Sequence, residues 1–411
     1  MASPCSWFTG VQELGAGFGS GARTQTETFS LMEMTHIHQF LYSDKHFVHN
    51  VCWPGDSNKC KHSQFLSKFD LTLRSAWTEK MVQGLFRYHL GDLQTRILPG
   101  PHRFVAQLNI SRGKERRKPQ EILSISQRFD AKQFHFNKIQ PGEIVFELCK
   151  RDACDASEGD ETREGETCSY QNGTADDLAR SLVVINVSPL EVGHCLLIPD
   201  PSRCLPQILT PGAVRIGIEA VLLSSHPGFR VGFNSLGAFA SVNHLHLHGY
   251  YLDHELRIES ARTEPLIPQR GFHLLPEFPA GFMFYTDGEG LRATVEYVCK
   301  LTDSLVERNI AHNLFLTRGR PPGDHPHPDS ARPGVRIVVW PRISCFGAKE
   351  ESAFNVALCE LAGHLPFKNQ EDFETIEEDD VKRIIEKYLF PENKFIALQA
   401  ELKHLLNDQP H

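Results

Sequence analysis

The sequence predicts an α+β protein from the mixture of its apolar patterns. Short apolar runs such as Val183–Ile185 and Leu196–Ile198 have the length of core strands and are far too short to cross a bilayer. Longer segments, Thr210–Leu223 and Leu291–Val306, repeat apolar residues with helical spacing. With 411 residues, the chain can bury the core of one large domain or of two medium domains.

Helix and strand signals follow one another along the first half of the chain. The predicted helices are Ser75–Leu90, which ends at Gly91, and Thr210–Leu223, which has Pro211 in its first turn. The predicted strands are Phe104–Ile110, Pro141–Cys149, Leu182–Asn186, His194–Ile198 and Arg230–Asn234. Between them, we expect a basic loop at Arg112–Pro119 and an acidic loop at Arg151–Asp177.

The second half repeats this alternation without a row of histidines. Its predicted elements are a helix at Leu291–Val306, strands at Asn313–Leu316 and Val335–Trp340, a helix at Ser352–Gly363 and a helix that begins near Glu377–Asp380. His325 and His327 fall in a Pro- and Asp-rich segment and are expected to be ordinary loop residues. Residues 1–35 are rich in Gly and Ser and are expected to form a flexible extension.

The composition excludes several classes of function. A net charge of −8 gives no general attraction to nucleic acid or to an anionic membrane. The eleven cysteines lack the paired spacing of a metal site, so we expect free buried thiols in a reducing compartment. The N-terminus lacks a basic region followed by an apolar run, so no secretory signal is expected. These observations predict a cytoplasmic protein.

The most informative stretch is Ser241–Leu252, in which His244, His246 and His248 alternate with other residues. Alternation with a period of two predicts a strand whose imidazoles share one face, while the intervening leucines point into a core. Three imidazoles are poor core residues, because each ring carries a donor and an acceptor that need partners.

Three interpretations of this row stay open on the residues alone. The histidines can be half-exposed strand residues without chemistry. Two of them can share a zinc ion, although no matched third ligand accompanies them. Alternatively, a neutral imidazole attacks a phosphorus atom while its other nitrogen is held as N–H by a backbone carbonyl. The flanking imidazoles then contact phosphate oxygens or the leaving group.

Several segments resemble a known superfamily. His244-Leu-His-Leu-His248 resembles the histidine-triad motif, and Leu182–Pro199 resembles the strand–turn–strand of that superfamily, with N-x-x-P and G-H-x-L-x-x-P elements. From about Phe65 to about Leu365, the chain most resembles the GDP-D-glucose phosphorylases, relatives of the plant GDP-L-galactose phosphorylases. The segments that carry this resemblance are Phe104–Asn109, Phe129–Ile139, Ala311–Gly319 and Phe354–Gly363.

The resemblance implies a histidine-triad fold, an antiparallel sheet with flanking helices, in two such halves. The implied domains are a catalytic domain at residues 36–260 and a C-terminal domain at residues 261–411. It also implies a nucleotidyltransferase in which His246 attacks the α-phosphorus of GDP-D-glucose and glucose 1-phosphate leaves. Inorganic phosphate then releases GDP from the GMP-histidine. No cofactor or metal is implied, and a homodimer that completes the site across two copies stays open.

The resemblance also assigns roles to the residues around His246. His244 and His248 are expected to orient His246 and to support the phosphate. Three residues are expected to position the nucleotide or the His246 ring: Asn234, Ser241 and Asn243.

The basic segment has two interpretations. It is either a solvated run of charge or a grip on phosphate, because the guanidinium fork suits phosphate oxygens. On the second interpretation, the phosphate-binding residues are Arg112, Arg116 and Arg117.

Two alternative functions stay open, and the residue at the third triad position raises the first of them. The transferase branch usually carries Gln there, whereas this chain carries His248, which is typical of the hydrolase branch. One alternative is therefore a nucleotide hydrolase or a dinucleoside polyphosphate phosphorylase. The other is a module that binds or exchanges guanine nucleotides without turnover.

Overall fold

The structure, a computed structural model, describes residues 37–53, 65–117, 119–151, 180–323, 331–346 and 353–407. The predictions for the extension at 1–35, for nearly all of the acidic loop, for Lys118, and for His325 and His327 lie outside the described residues.

The strands of the described residues are β1 (Gln39–Tyr42), β2 (Gln94–Ile97), β3 (Val105–Leu108), β4 (Ile144–Lys150), β5 (Ser181–Ile185), β6 (Cys195–Pro199), β7 (Phe229–Asn234), β8 (Leu247–Tyr251), β9 (Glu264–Ile267), β10 (Phe272–Leu275), β11 (Gly281–Thr286), β12 (Ala311–Gly319), β13 (Gly334–Arg342) and β14 (His364–Phe367). The helices are α1 (Lys68–Val82), α2 (Ile110–Glu115), α3 (Pro211–Leu223), α4 (Leu291–Glu307), α5 (Leu358–Ala362), α6 (Gln370–Thr375), α7 (Glu378–Glu386) and α8 (Glu392–Asn407). The predicted mixed α+β class is confirmed.

Most of the strands belong to one large sheet with the order β1-β4-β5-β6-β8-β7-β12-β13-β11-β10-β9. The same sequence of elements occurs twice in it, as β5-β6-α3-β7-β8 and as β10-β11-α4-β12-β13. The antiparallel pairs also correspond, since β5–β6, β6–β8 and β8–β7 match β10–β11, β11–β13 and β13–β12. The two series meet where β7 pairs antiparallel with β12.

The two faces of the large sheet are covered differently. One face packs against α1, α3, α4 and α8, whose apolar side chains share a core with Leu245, Leu247 and Val231. On the opposite face, β12 and β13 are covered by α5, α7 and the small sheet β14-β3-β2. His248 and Tyr250 of β8 lie on this second face, because Leu247 and Tyr251 point into the first core.

Several predicted elements are confirmed, and their boundaries have physical causes. α3 begins at Pro211 because the Thr210 side chain accepts a hydrogen bond from the Ala213 N–H at 3.2 Å. The predicted helix at Leu291–Val306 is α4, and the predicted start near Glu377 is that of α7. The predicted strands in both halves are likewise present, within a few residues of their expected ends.

Other boundaries were wrong. The helix predicted at Ser75–Leu90 is α1, which starts at Lys68 because Ser67 caps the Asp70 N–H at 3.1 Å. Part of the predicted basic loop is α2, which Asn109 caps through the Arg112 N–H at 3.0 Å. The helix predicted at Ser352–Gly363 is confined to α5 and ends at Gly363, which adopts φ 102°.

The predicted strand of three histidines is also corrected. β8 begins at Leu247, so His244 and His246 precede it. The backbone N–H of Leu245 donates to the Leu205 carbonyl and that of His246 to the Gln207 side chain, and neither joins a ladder between strands. The alternation of side chains nevertheless persists, because Leu245 and Leu247 are both buried in the first core.

The cysteine prediction is confirmed in part. Six described cysteines are free thiols: Cys149, Cys195, Cys204, Cys299, Cys345 and Cys359. Cys52 instead forms a disulfide, which the sequence interpretation did not expect. Of the helices in the described residues, none combines the length and the apolar character that crossing a membrane requires.

Candidate active site

His246 is held with one ring nitrogen occupied and the other available. Its Nδ1 lies 2.7 Å from the carbonyl oxygen of His244. Because a carbonyl oxygen only accepts, Nδ1 carries the proton and Nε2 carries the lone pair. Burial lowers the pKa of His246 to about 4, so the ring is neutral at neutral pH. A neutral imidazole with Nδ1 held as N–H and Nε2 unprotonated can act as a nucleophile.

Gln207 fixes the backbone on both sides of this ring. Its Oε1 accepts from the His246 N–H at 3.0 Å, and its Nε2 donates to the carbonyl of His246 at 3.1 Å. The same Nε2 donates to the Asn234 carbonyl at 3.0 Å. The side chain is fully buried, and its amide is satisfied by these hydrogen bonds to the backbone of His246 and Asn234. The sequence carried no signal for this residue, since it lies 39 positions from His246.

His244 supports His246 through its backbone and not through its ring. Its Nδ1 accepts from the Phe136 N–H at 3.1 Å, and its ring stacks on the Phe136 ring at 5.6 Å between centroids. Burial, followed by the neighbouring His246 and His135, lowers the pKa of His244 to about 4. The expectation that it orients His246 stays a prediction, consistent with the contact between the His244 carbonyl and His246 Nδ1. The His244 ring lines neither of the clefts described below.

His248 accepts a hydrogen bond from the ring of His194. The Leu190 N–H donates to His194 Nδ1 at 2.7 Å, so the neutral His194 ring carries its proton on Nε2. That Nε2 lies 3.1 Å from His248 Nδ1, which must therefore accept. Burial lowers the pKa of both rings well below the usual value, so both are neutral. The proton of His248 then lies on its Nε2, which makes that nitrogen a donor.

Asn186 also approaches His194 Nε2, with its amide nitrogen at 3.2 Å. Both atoms are donors in this tautomer, so only the contact with His248 is a hydrogen bond. His194 belongs to the G-H-x-L-x-x-P segment, but the sequence assigned it no role. Its partner in the triad lies 54 positions away.

Two clefts open beside the triad and share a wall formed by Arg112, Arg116, Ser241 and His248. The first, here called the apolar cleft, has an empty volume of about 690 Å³ and is otherwise lined by Arg117, Phe134, Phe136, Ile139, Glu143, Val184, Ile185, Asn186, Val187, Ser188, Leu196, Val242 and His246. The second, the polar cleft, has an empty volume of about 780 Å³ and is otherwise lined by Asn109, Gly113, Leu190, His194, Asn234, Phe239, Tyr250, Asn355, Ala357, Leu358, Cys359, Glu360, Pro366 and Lys368.

The shared wall is positively charged. Arg112 lies in α2 and donates through Nη1 to the Ser188 carbonyl, which holds its guanidinium against the wall. Burial and the nearby Arg112 lower the pKa of Arg116 to about 10, so it stays charged at neutral pH. Within the described residues, neither arginine forms an ion pair with a carboxylate. Two unpaired cations beside His248 make this wall suitable for a phosphate group.

The remaining predicted residues lie at different distances from this wall. Arg117 lines only the apolar cleft, with its guanidinium 3.4 Å from the Phe134 ring centroid. Ser241 lines both clefts. Asn234 lines the polar cleft, but its Oδ1 is taken by Asn313 Nδ2 at 2.6 Å and by the Leu358 N–H at 3.0 Å.

Asn243 lies outside both clefts. Its Oδ1 accepts from the Gln207 N–H at 2.9 Å, and its Nδ2 donates to the carbonyls of Gln127 and Arg128. It therefore braces the loop that carries Gln207 and reaches His246 indirectly. Among the described residues, no three His, Cys, Asp or Glu side chains are placed to hold a metal ion together.

Sequence comparisons place the chain within a family. Models described as "GDPGP1-like, N-terminal domain" and "GDPGP1-like, C-terminal domain" match residues 68–250 and 258–409. The chain belongs to the GDPGP1-like family. The division into domains at residue 260 stays a prediction.

Curated relatives of this GDPGP1-like chain carry related names. GDP-D-glucose phosphorylase 1 of Danio rerio is 56% identical over 368 residues, which covers 89% of this chain and 98% of the relative. The Homo sapiens protein of the same name is 50% identical over 379 residues, covering 91% and 93%. GDP-L-galactose phosphorylase 2 of Arabidopsis thaliana is 29% identical over 333 residues, covering 78% and 72%.

Among solved structures, yeast Ap4A phosphorylase in complex with AMP is similar with a TM-score of 0.48 and 13% identity. The match covers 79% of this chain and 97% of the yeast chain.

Proposed function

We propose that this protein is a nucleotidyltransferase that phosphorolyses GDP-D-glucose to GDP and glucose 1-phosphate. The observation that carries the proposal is the His246 ring, whose proton is fixed on Nδ1 by a carbonyl at 2.7 Å while the residue lines a cleft with an arginine wall. Relatives at 50–56% identity that are named GDP-D-glucose phosphorylase support the choice of substrate.

The apolar cleft suits the nucleoside. Phe134, Phe136 and Val184 give it apolar walls, and such surfaces favour a purine base. A nucleoside bound there brings its α-phosphate to His246, which lines the same cleft. The β-phosphate then reaches the wall of Arg112 and Arg116, which both clefts share.

The reaction proceeds in two displacements at the α-phosphorus. In the first, His246 Nε2 forms a bond to phosphorus, the bond to the bridging oxygen breaks, and glucose 1-phosphate leaves with that oxygen. In the second, an oxygen of inorganic phosphate attacks the same phosphorus, the N–P bond breaks, and GDP leaves. The entering phosphate takes the place that the leaving phosphate vacated, so one arginine wall serves both steps.

The tautomer of His248 favours phosphate over water as the acceptor. A general base for water needs an unprotonated nitrogen, whereas the Nε2 of His248 carries a proton because His194 occupies Nδ1. As a donor, His248 instead bonds a phosphate oxygen. This tautomer supports phosphate as the acceptor even with a histidine at the third triad position.

The wider architecture is proposed on the same basis. The element order that occurs twice, with corresponding strand pairs, supports two histidine-triad-like halves that meet at β7 and β12. Four buried free thiols support a cytoplasmic location, whereas the Cys52 disulfide does not.

Labelled inorganic phosphate tests the proposal directly. The purified protein is incubated with GDP-glucose and isotopically labelled phosphate, and His246→Ala serves as the control. Label in the β-phosphate of GDP is the expected result. Unlabelled GMP, formed at a rate that is indifferent to phosphate, makes the protein a hydrolase. Binding of GDP-glucose without any product makes it a binding module.

A further inference from the structure

The polar cleft contains hydrogen-bonding groups that the two displacements at phosphorus do not use. Resting on the function proposed above, we propose that this cleft binds the hexose of the substrate, with the Tyr250 hydroxyl and the Glu360 carboxylate as its recognition groups.

The order of groups along the substrate decides which cleft receives the hexose. A nucleoside diphosphate sugar has its nucleoside at one end, its hexose at the other and its two phosphates between them. The wall of Arg112, Arg116 and His248 lies between the two clefts and is common to both. With the phosphates on this wall and the base in the apolar cleft beside His246, the hexose enters the polar cleft.

Tyr250 is placed to meet a ligand in that cleft. It follows His248 by two positions on β8, so the two side chains lie on the same face, about 7 Å apart along the strand. The Tyr250 hydroxyl is fully buried and has no hydrogen-bond partner among the described residues. Burial raises its pKa well above the usual value, so it is a neutral donor and acceptor. An unpaired buried hydroxyl is unfavourable unless a ligand satisfies it.

Glu360 brings a carboxylate to the same space. Its Oε2 accepts from the Ala357 N–H at 2.9 Å and lies 3.1 Å from Cys359 Sγ. A carboxylate accepts several hydrogen bonds, and a hexose offers several hydroxyl donors. Asn355 and Lys368, which hydrogen-bond to each other at 3.2 Å, add polar groups to the lining.

The chemistry of the two clefts separates the two ends of the substrate. A base buries flat apolar surface, whereas a hexose requires a hydrogen-bond partner for almost every oxygen. Asn, Tyr, Glu and Lys supply six lining residues of the polar cleft and two of the apolar cleft, whereas Phe, Val, Ile and Leu supply three and eight. The opposite placement would bury hexose hydroxyls against apolar side chains without partners.

Binding measurements in a His246→Ala background test this assignment without turnover. The dissociation constants of GDP-glucose and of GDP are measured by calorimetry, with and without Tyr250→Phe or Glu360→Gln. Each added substitution should raise the dissociation constant of GDP-glucose roughly fivefold to tenfold or more, the size of one lost hydrogen bond. The dissociation constant of GDP should change less than about twofold. Gln at 360 keeps an acceptor for the Ala357 N–H, so α5 is retained.

Tyr251→Phe is the matched control. Tyr251 is the next residue of β8, but its hydroxyl donates to Asp70 at 2.8 Å on the other face of the sheet. This control should lower the thermal midpoint and leave the ratio of the two dissociation constants unchanged. If Tyr250→Phe weakens the affinity for GDP-glucose and for GDP equally, the nucleotide lies in the polar cleft and the assignment is overturned. An unchanged affinity for GDP-glucose would also overturn it.

The outcome is distinguishable from failure of the proposed function. If the unaltered protein forms no GDP from GDP-glucose and phosphate, the function fails and the hexose assignment falls with it. If it forms GDP but neither substitution changes the ratio of the dissociation constants, the hexose assignment alone fails.

Discussion

His246, just before β8, and His312, in β12, have nearly the same immediate chemistry in two different parts of the molecule. Burial lowers the pKa of each to about 4. Each directs Nδ1 at the carbonyl two positions earlier in the chain, at 2.7 Å from His244 and at 3.3 Å from Ile310. The difference lies at Nε2. His246 lines the apolar cleft, whereas His312 Nε2 is buried without a partner in the described residues and lines neither cleft.

Two arginines of the same regions repeat the contrast. Burial lowers the pKa of Arg116 and of Arg342 to about 10. Arg116 lines both clefts. Arg342 is covered by the rings of Phe239 and Tyr388, each 4.9 Å from its guanidinium carbon, and it donates to the Val356 carbonyl. Burial and a lowered pKa are therefore common to both regions, and access to a cleft is what distinguishes the candidate site residues His246 and Arg116.

The largest expected effect separates the two histidines. His246→Ala should reduce turnover of GDP-glucose by about 10⁴-fold or more, because no other group replaces the nucleophile. His312→Ala should keep turnover within about threefold and lose about 1–3 kcal/mol of unfolding free energy, since it removes a buried ring. Steady-state kinetics and denaturant unfolding of both variants provide the comparison. Comparable losses of turnover in the two variants would break it.

The next effect concerns the proton on His248. His194→Phe keeps an aromatic ring but removes the donor to His248 Nδ1, so His248 can adopt the other tautomer and accept a proton from water. We expect turnover to fall about 10- to 100-fold, the usual size for loss of a group that orients a functional ligand. The GMP share of the products should also rise. If turnover falls but the GDP-to-GMP ratio is unchanged, His194 only packs against the site and does not set the tautomer of His248. His312→Phe is the control, because it makes the same substitution at a buried histidine outside the clefts.

These residues also show what the sequence could predict. The row of alternating histidines and its leucines identified His246 and the buried side of the segment, because both depend on local periodicity. Arg112 and Arg116 could be proposed from the sequence because they are neighbours in a basic run, and both line the two clefts. Gln207 and His194 were not assigned roles, because their parts depend on contacts across 39 and 54 positions. Glu360 was not assigned a role either, because its neighbour Tyr250 is distant in the sequence. Long-range pairing of this kind leaves no periodic signal.

A smaller effect separates the two arginines. Arg116→Gln should raise the KM for phosphate roughly 10- to 100-fold, as expected for losing a hydrogen bond to a charged group of about 1.5–3 kcal/mol. Arg342→Gln should leave the KM for phosphate within about twofold. It should lower the thermal midpoint, because it removes the guanidinium that packs between the rings of Phe239 and Tyr388. Initial rates over a range of phosphate concentrations measure both values. Equal KM values in the two variants would mean that the shared wall does not bind phosphate.

The smallest effect is on the pH dependence of stability, where the two histidines should behave alike. The folded pKa of each is about 4, below the usual value near 6.5, so the unfolded chain binds more protons between these limits. The free energy of unfolding should therefore fall as the pH drops from about 6.5 towards 4, by up to about 1.4 kcal/mol per pH unit for each such group. His312→Gln removes one of these groups and should make the decline between pH 6 and pH 5 shallower by about 1 kcal/mol. Urea unfolding of the parent and the variant at pH 7, 6 and 5 measures the two slopes. Parallel slopes would show that His312 is not held neutral in the folded protein. His312 and His246 would then differ in pKa as well as in their access to a cleft.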